Sequence, residues 1–341
     1  MTILLLLALL LLSISPRVSD SVEPDPLSHD RLLPWKGFCV LLILLSHYTG
    51  YIQTDPYDEP YLLVRSGMRQ TIVVLFFFAA GYGMVQQLIT RGRPYLLRVL
   101  KKALRLWLVC ALSALCMLVI QSLRGRSYDL TTILMAFIPL VSLGNSPWFI
   151  FAMVLCYLFF VLSALPYALR PGRVTLFLLF LFQSVLTALY MMALSSMGFD
   201  DFWYDSVLLF PIGLLFGILH LRLSRRFSCS TLSWLILLTG SVISVCYLYC
   251  YQTRSFLLHE LYLVSACGLL LVLALRWTPG SRLLLFLGQH ALVIYLFQRI
   301  PMILFYETGL LDMVPHLGFF PVFSSVCLIA ALSRQLRKKP R

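Results

Sequence analysis

The sequence predicts an all-α fold: a polytopic transmembrane helical bundle of about ten spans with both termini cytoplasmic. Composition predicts the class, because 60% of the 341 residues are hydrophobic and only 12% are charged. The mean hydropathy of +0.89 is also outside the range of soluble globular proteins. The architecture follows from apolar runs along most of the chain, each long enough to cross a hydrocarbon core of about 30 Å as a helix.

Ten apolar runs are expected to cross the membrane. They cover about residues 37–54, 72–90, 103–121, 147–166, 173–194, 206–221, 231–250, 256–275, 283–304 and 317–333. A further run, 130–143, is short and contains Pro139. It is either an eleventh span or a re-entrant or interfacial segment.

The distribution of charge favours ten spans, because cytoplasmic loops carry an excess of Lys and Arg. If 130–143 does not cross, the segments expected inside contain basic residues and no acidic ones; they are 91–105, 167–173, 222–226, 276–282 and the tail from Arg334. The outer loops then hold the acids Asp55, Asp58, Glu59, Asp129, Asp200, Asp201, Asp205, Glu307 and Asp312. The net charge of +13 is therefore a topology signal. A nucleic-acid partner is not expected, because the chain has no soluble stretch long enough to form a basic binding domain.

Residues 1–30 form an N-terminal apolar run and polar linker ahead of a transmembrane domain at 31–341. The leucine-rich run 3–12 resembles the core of a signal peptide, but no positive charge precedes it. The sequence leaves open whether this run is cleaved, lies on the membrane or crosses it. The nine cysteines lie almost all in apolar runs without CxxC spacing, which predicts neither a disulfide framework nor a metal site.

Lys36 and His47 are the sharpest candidates for chemistry, because ionisable groups at membrane depth are costly and mark functional sites. They are eleven residues apart in the first span. A helix places them on one face about 16 Å apart along its axis. The structural alternative for His47 is a buried ring satisfied by a hydroxyl or a backbone carbonyl. No second ligand stands three or four residues from His47, so a metal is not implied.

Five motifs follow one another along the chain. The first is Lys36-Gly37 followed by His47, and the others are LFFFAAGYGM (75–84), SPWFIFAMVLCY (146–157), FPIGLLFG (210–217) and LGQHALVIYLFQ (287–298). In this order they resemble the membrane-bound acyltransferase 3 family, whose members O-acylate cell-surface polysaccharides and related molecules. The resemblance extends over about residues 31–333. Ala80, Ala291 and Gln298 depart from it, standing where serine, serine and histidine are usual.

The resemblance implies a membrane O-acyltransferase that takes an acyl group, acetyl being the expected one, from acyl-CoA. The acceptor is expected to be an extracytoplasmic glycan or similar cell-surface molecule, and the location the bacterial cytoplasmic membrane. No bound cofactor is expected, since acyl-CoA is a substrate. Neutral His47 would act either as a general base for the acceptor hydroxyl or as a transient acyl carrier.

A basic segment that follows the second span is the candidate binding site for acyl-CoA. Arg98, Lys102 and Arg105 have i, i+4, i+7 spacing and share a helix face. Their charges suit the phosphates of CoA. The alternative is simple anchoring by the positive-inside rule.

Three charged residues are candidates for the acceptor side: His259, Glu260 and Arg299. They either line one outer site or form one neutralised structural cluster. Trp148, Tyr82 and Tyr295 are further candidates for lining a cavity, with ordinary helix packing as the favoured alternative, and His290 is expected to be structural.

Two other functions are compatible with the sequence. A transporter or flippase for a polysaccharide or lipid-linked sugar also has many helices with a few buried charges, although no internal repeat is visible. A non-catalytic subunit of a glycan synthase is the second, and it predicts that the buried charges are dispensable.

Overall fold

The computed structural model describes residues 1–14, 17–18, 27–68, 70–223 and 231–337. Its helices in chain order are α1 (Thr2–Ser13), α2 (His29–Tyr48), α3 (Glu59–Met68), α4 (Thr71–Arg91), α5 (Pro94–Leu123), α6 (Leu130–Phe137), α7 (Trp148–Leu169), α8 (Arg173–Ser196), α9 (Leu209–Leu223), α10 (Thr231–Tyr251), α11 (Phe256–Arg276), α12 (Arg282–Gln289), α13 (Ala291–Phe297), α14 (Arg299–Glu307), α15 (Leu310–Met313) and α16 (Phe319–Arg337). Two short strands, β1 (Arg17–Val18) and β2 (Trp277–Thr278), pair antiparallel.

The prediction of a helical membrane bundle is confirmed. Within the described residues, eight helices are long and apolar enough to cross a membrane. A ninth span results if the pair formed by Arg282–Gln289 and Ala291–Glu307, bent by 72°, is taken as one. The last predicted span, 317–333, corresponds to α16, whose apolar stretch Phe319–Gln335 is shorter than the others. Arg225, Arg226, most of the linker 16–30 and the tail 338–341 lie outside the described residues.

Local sequence signals account for several helix ends. α4 ends at Gly92, whose φ of 62° is readily adopted only by glycine, and α5 begins at Pro94, which is preorganised for a first turn. The hydroxyls of Ser255 and Ser281 accept hydrogen bonds from the backbone amides at the starts of α11 and α12.

The two ends of the bundle differ in charge. Successive spans alternate in direction, so every second connection lies at the same end of the bundle. We term the end that holds the α4–α5 turn, the α7–α8 turn and β2 the basic end; it carries arginine and lysine. The opposite end holds the α2–α4 connection with Asp58, the start of α6 at Asp129, and Glu307; we term it the acidic end. α2 runs from the basic end to the acidic end.

The segment 130–143 runs back along α5 and then returns. The indole nitrogen of Trp107 donates to the carbonyl oxygen of Phe137 at 2.9 Å, and Trp107 lies about 24 Å before the end of α5 along its axis. The chain then comes back toward that end, where the Gln121 amide donates to the Leu143 carbonyl oxygen at 2.8 Å. Of the alternatives that the sequence left open, the structure therefore has the re-entrant one.

The amino end of the chain packs against the acidic end of the bundle. The Met1 ammonium group donates to Asp58 Oδ1 at 2.7 Å and lies 2.8 Å from His316 Nδ1, both at the acidic end. α1 packs along α2, and β1 then joins β2 at the basic end. α16 begins beside Tyr48 at the acidic end and runs about 28 Å toward the basic end. Met1 and the end of α16 are thus at opposite ends of the bundle. Which side of the membrane each end faces stays a prediction.

Glycine brings two pairs of helices into backbone contact. A Cβ atom at Gly37 of α2 would overlap the carbonyl oxygen of Leu284 in α12. A Cβ atom at Gly81 of α4 would likewise overlap the carbonyl oxygen of Phe210 in α9. Small residues permit such close approach of membrane helices. These two contacts fix α2 against α12 and α4 against α9, and thereby position the polar residues that α2 carries.

Candidate functional site

His47 pairs with Gln298, although the two residues are 251 positions apart in the chain. His47 lies in the last turn of α2 and Gln298 lies between α13 and α14. The Gln298 side-chain nitrogen Nε2 is 2.8 Å from His47 Nδ1 and donates to the Tyr295 carbonyl oxygen at 3.1 Å. Gln298 is fully buried, with 0% of its surface exposed, whereas the His47 side chain is partly exposed. The histidine singled out by the sequence is therefore held by a residue from the far end of the chain.

Aromatic rings from three helices surround this pair. The Tyr295 ring of α13 lies 6.4 Å from the His47 ring between centroids, and Phe149 of α7 lies 5.4 Å from Tyr295. Phe77 of α4 packs on Phe149 at 5.1 Å. Trp148 packs edge-on against Phe149 at 5.9 Å. Tyr295 and Trp148 thus pack in an aromatic cluster, their roles in lining a cavity stay predictions, and the rings keep the surroundings of His47 apolar.

Two guanidinium groups are close enough to His47 to act on it electrostatically. One is Arg299, which follows Gln298 in the chain, and the other is Arg65 of α3. Positive charge in a low-dielectric site strongly favours negative charge that develops during a reaction. The surroundings of His47 therefore suit a reaction that passes through an oxyanion or releases a thiolate.

Several buried polar atoms at this site have no hydrogen-bond partner among the described residues. They include Gln298 Oε1, Arg299 Nε and both amide atoms of Asn145, which is 2% exposed. Asn145 follows the re-entrant segment by two residues. Its neighbour Gly144 approaches Ile303, one helical turn beyond Arg299, and Phe149 follows four residues later. Because unpaired polar groups at membrane depth are costly, this arrangement is suited to a polar ligand.

At the basic end the structure brings together most of the cationic residues predicted to bind acyl-CoA. Lys36 and Lys102 both act electrostatically on His29, the first residue of α2. Arg98 and Arg91 act on Lys102 in the same way. The Lys102 ammonium group donates to the Tyr95 hydroxyl at 3.4 Å and lies 5.4 Å from the ring centroid.

The exposed face of α5 extends this cluster. The side chains of Arg98, Lys102 and Arg105 are all exposed. The predicted spacing therefore places them where an anionic ligand can reach them, at the same end of α2 as Lys36.

The three acceptor-side candidates separate into two groups. Arg299 belongs with His47. His259 Nε2 instead lies 3.2 Å from Asp205 Oδ2, and Glu260, 4% exposed, interacts with the same aspartate. Asp205 comes from the turn that precedes α9. α11 and α14 thus give these residues different partners, and a role for them on the acceptor side stays a prediction.

A family model described as an acyltransferase domain matches residues 35–334, most of the chain. The chain belongs to the acyltransferase 3 family. No curated protein and no solved structure matches the chain significantly. The family and the apolar helices together make the chain a multi-pass membrane acyltransferase, and the acyl groups that it transfers are not aminoacyl groups.

Within the acyltransferase 3 motifs, four glycines are at backbone contacts between helices. Gly37 and Gly288 meet across α2 and α12. Across α4 and α9, Gly81 meets the backbone of Phe210, and Gly213 meets the backbone of Phe78. Gln298, which stands where the family usually has histidine, forms the hydrogen bond with His47. These motifs therefore build the frame and the polar contacts around His47.

Other residues singled out by the sequence have structural contacts. The Tyr82 hydroxyl lies 2.8 Å from His220 Nδ1, joining α4 to α9. His290 lies at the bend between α12 and α13, with Nδ1 2.8 Å from the Phe286 carbonyl oxygen. This contact supports the structural interpretation of His290. Eight described cysteines are free, and Cys229 lies outside the described residues.

Sequence reasoning did not identify Asn145, Asp205 or the role of Gln298 at these sites. Asn145 follows a glycine and precedes Ser146-Pro147, a pattern that reads as an ordinary turn. Asp205 reads as one more outer-loop acid. Gln298 appeared only as a departure from the family motif. Of the three residues, only Gln298 was marked by a signal in the sequence, its difference from the histidine that is usual in the family.

Proposed function

We propose that the chain is an O-acyltransferase that uses acyl-CoA as donor and an extracytoplasmic glycan or similar cell-surface molecule as acceptor. Acetyl is the expected acyl group, and the expected location is the bacterial cytoplasmic membrane. Acyl-CoA docks at the basic end, and the acceptor enters from the acidic end.

One observation carries this proposal: α2 links an exposed cationic cluster to a polar site near its other end. Lys36 lies at the same end as Lys102, since both act electrostatically on His29, and His47 belongs to the site with Gln298. The two residues are about 16 Å apart along the helix axis. The pantetheine arm of CoA spans such a distance, so phosphates at the basic end are compatible with a thioester at His47.

The reaction at this site is the attack of an acceptor hydroxyl on the thioester carbonyl carbon. The new C–O bond forms, the C–S bond breaks, and the hydroxyl proton ends on the sulfur of CoA. Charge that develops on the carbonyl oxygen lies in the field of Arg299 and Arg65. Neutral His47 lies in the same place and assists as a proton acceptor, as an acyl carrier or as a hydrogen-bond donor.

The decisive experiment follows transfer from radiolabelled acetyl-CoA by purified protein in lipid nanodiscs, with extracted cell-surface polysaccharides and lipid-linked glycans as acceptors. We expect labelled acceptor and an equal amount of free CoA thiol. His47→Gln should abolish transfer, whereas His290→Gln, at the α12–α13 bend, should retain it after correction for folded protein.

Two results would contradict the proposal. A folded His47→Gln protein that transfers acetyl groups at the parent rate would make His47 structural. Movement of a lipid-linked sugar across proteoliposome membranes without acetyl-CoA, together with no transfer, would favour the transporter alternative.

A further inference from the structure

We infer that Gln298 fixes His47 in the tautomer that carries its proton on Nε2, so that His47 serves the reaction as a hydrogen-bond donor. The catalytic part of this inference rests on the proposed acyl transfer. The tautomer itself is independent of that activity.

The orientation of the Gln298 amide follows from its two contacts. Nε2 approaches the Tyr295 carbonyl oxygen at 3.1 Å and His47 Nδ1 at 2.8 Å. Rotation of the amide by 180° would place Oε1 at the Tyr295 carbonyl, and two acceptors would then repel each other. The two hydrogens of the amide nitrogen satisfy both contacts at once. Gln298 is therefore the donor to His47.

The proton position on His47 follows from this donor. A ring nitrogen that accepts a hydrogen bond has a free lone pair, so Nδ1 carries no hydrogen. In the neutral imidazole the hydrogen is then on Nε2. None of the described residues forms a hydrogen bond with Nε2, and Nε2 is not among the buried unpartnered atoms. The N–H group of Nε2 is thus the one that a ligand meets.

This tautomer decides between the roles open to His47. A general base or an acyl carrier needs a lone pair on the nitrogen that faces the substrate, and here that nitrogen bears the proton. An Nε2–H donor instead polarises the thioester carbonyl and stabilises the oxyanion, as neutral histidine does in some isomerases. Arg299 and Arg65 add positive charge at the same place. The proton of the acceptor hydroxyl passes to the departing sulfur of CoA.

Gln298→Glu tests the inference, because a carboxylate has nearly the same shape but only accepts hydrogen bonds. It would hold the proton on His47 Nδ1 and leave a lone pair on Nε2. We expect kcat to fall by about 10²- to 10³-fold, the usual effect of losing one oxyanion donor, while the KM for acetyl-CoA stays within about threefold of the parent. Gln298→Met, which leaves the tautomer unfixed, should lose less activity.

Gln183→Glu is the matched control for burying a new carboxyl group. Gln183 is also fully buried, and its side chain contacts Thr187 in α8 at 3.5 Å. The folded fraction of this variant should keep the parent kcat. A Gln298→Glu enzyme with the parent kcat or a higher one would overturn the donor role.

Nitrogen-15 NMR of histidine-labelled protein in lipid provides a readout that does not depend on activity. The His47 signals are assigned by their loss in His47→Gln. We expect a protonated Nε2 and an unprotonated Nδ1 in the parent, and the reverse in Gln298→Glu. A protonated Nδ1 in the parent would overturn the inference even if the enzyme is active. If no acceptor is acetylated, the proposed function fails, and the same spectrum still decides the tautomer.

Discussion

Gly81 of α4 and Phe210 of α9 are in backbone contact, with no room for a side chain at Gly81. Two residues later, Gly83 has no atom within 4 Å of an added Cβ. The same helix therefore offers one glycine that the packing requires and one that it does not.

Gly81→Ala should lower the free energy of unfolding by about 1–3 kcal/mol, the usual cost of overpacking. Gly83→Ala should be neutral or slightly stabilising, because alanine favours the helix. Thermal unfolding of both variants in one detergent measures the difference. Equal melting temperatures would mean that α4 and α9 are not in backbone contact.

Arg98 and Arg105 should contribute to the binding of acyl-CoA through their exposed charges at the basic end. Each loss of a charged contact is worth about 1.5–3 kcal/mol, so Arg98→Ala and Arg105→Ala should each raise the KM for acetyl-CoA by tenfold or more. The measurement is initial rate against acetyl-CoA concentration. Arg173→Ala, at the start of α8 on the same end, is the control. An unchanged KM in the double variant would reduce these residues to topology anchors.

The activity of Lys36 variants should depend on whether the new side chain is charged, because the proposed role of Lys36 is to supply positive charge at the basic end, where it and Lys102 both act on His29. Lys36→Arg keeps the charge and should retain much of the activity, whereas Lys36→Ala should retain little, with the loss mainly in the KM for acetyl-CoA. Full kinetic constants for both variants measure this. If Lys36→Ala has the same kinetic constants as the parent, Lys36 does not contribute to the site.

A substitution at Glu260 tests whether the cluster of His259, Glu260 and Asp205 binds the acceptor. Glu260→Gln removes the carboxyl group beside Asp205 and should raise the KM for the glycan acceptor without changing that for acetyl-CoA. Arg299→Ala, at the His47 site, should instead lower kcat. Competition between glycans of different length measures the first effect. If Glu260→Gln leaves acceptor binding unchanged, the cluster serves only to hold α11 against the turn before α9.

Membrane sidedness can be tested with single cysteines in a background without the nine native ones. Tyr57 is exposed in the loop after α2, and Gln335 is exposed near the end of α16. Because basic segments favour the cytoplasm, Tyr57→Cys should react with an impermeant maleimide in intact cells. Gln335→Cys should react only after permeabilisation. The opposite pattern would invert the bundle in the membrane.

The sequence by itself determined the class of this protein, the positions of its spans and the shared face of Lys36 and His47. These features are local. A long apolar run forms a helix in lipid because its backbone groups have no other partners, and helix geometry then fixes the spacing of residues along one face. The positive charges between spans likewise distinguish the two ends of the bundle without reference to packing.

Only the tertiary structure decided which residues meet. The contact of His47 with Gln298, the separation of Arg299 from His259 and Glu260, the return of the re-entrant segment and the reversed direction of α1 all depend on contacts between distant parts of the chain. A periodic pattern shows which face of a helix is apolar. It does not show which helix packs against that face, or how far the two helices are shifted relative to each other along their axes. In this protein, glycines that allow backbones to touch set those offsets.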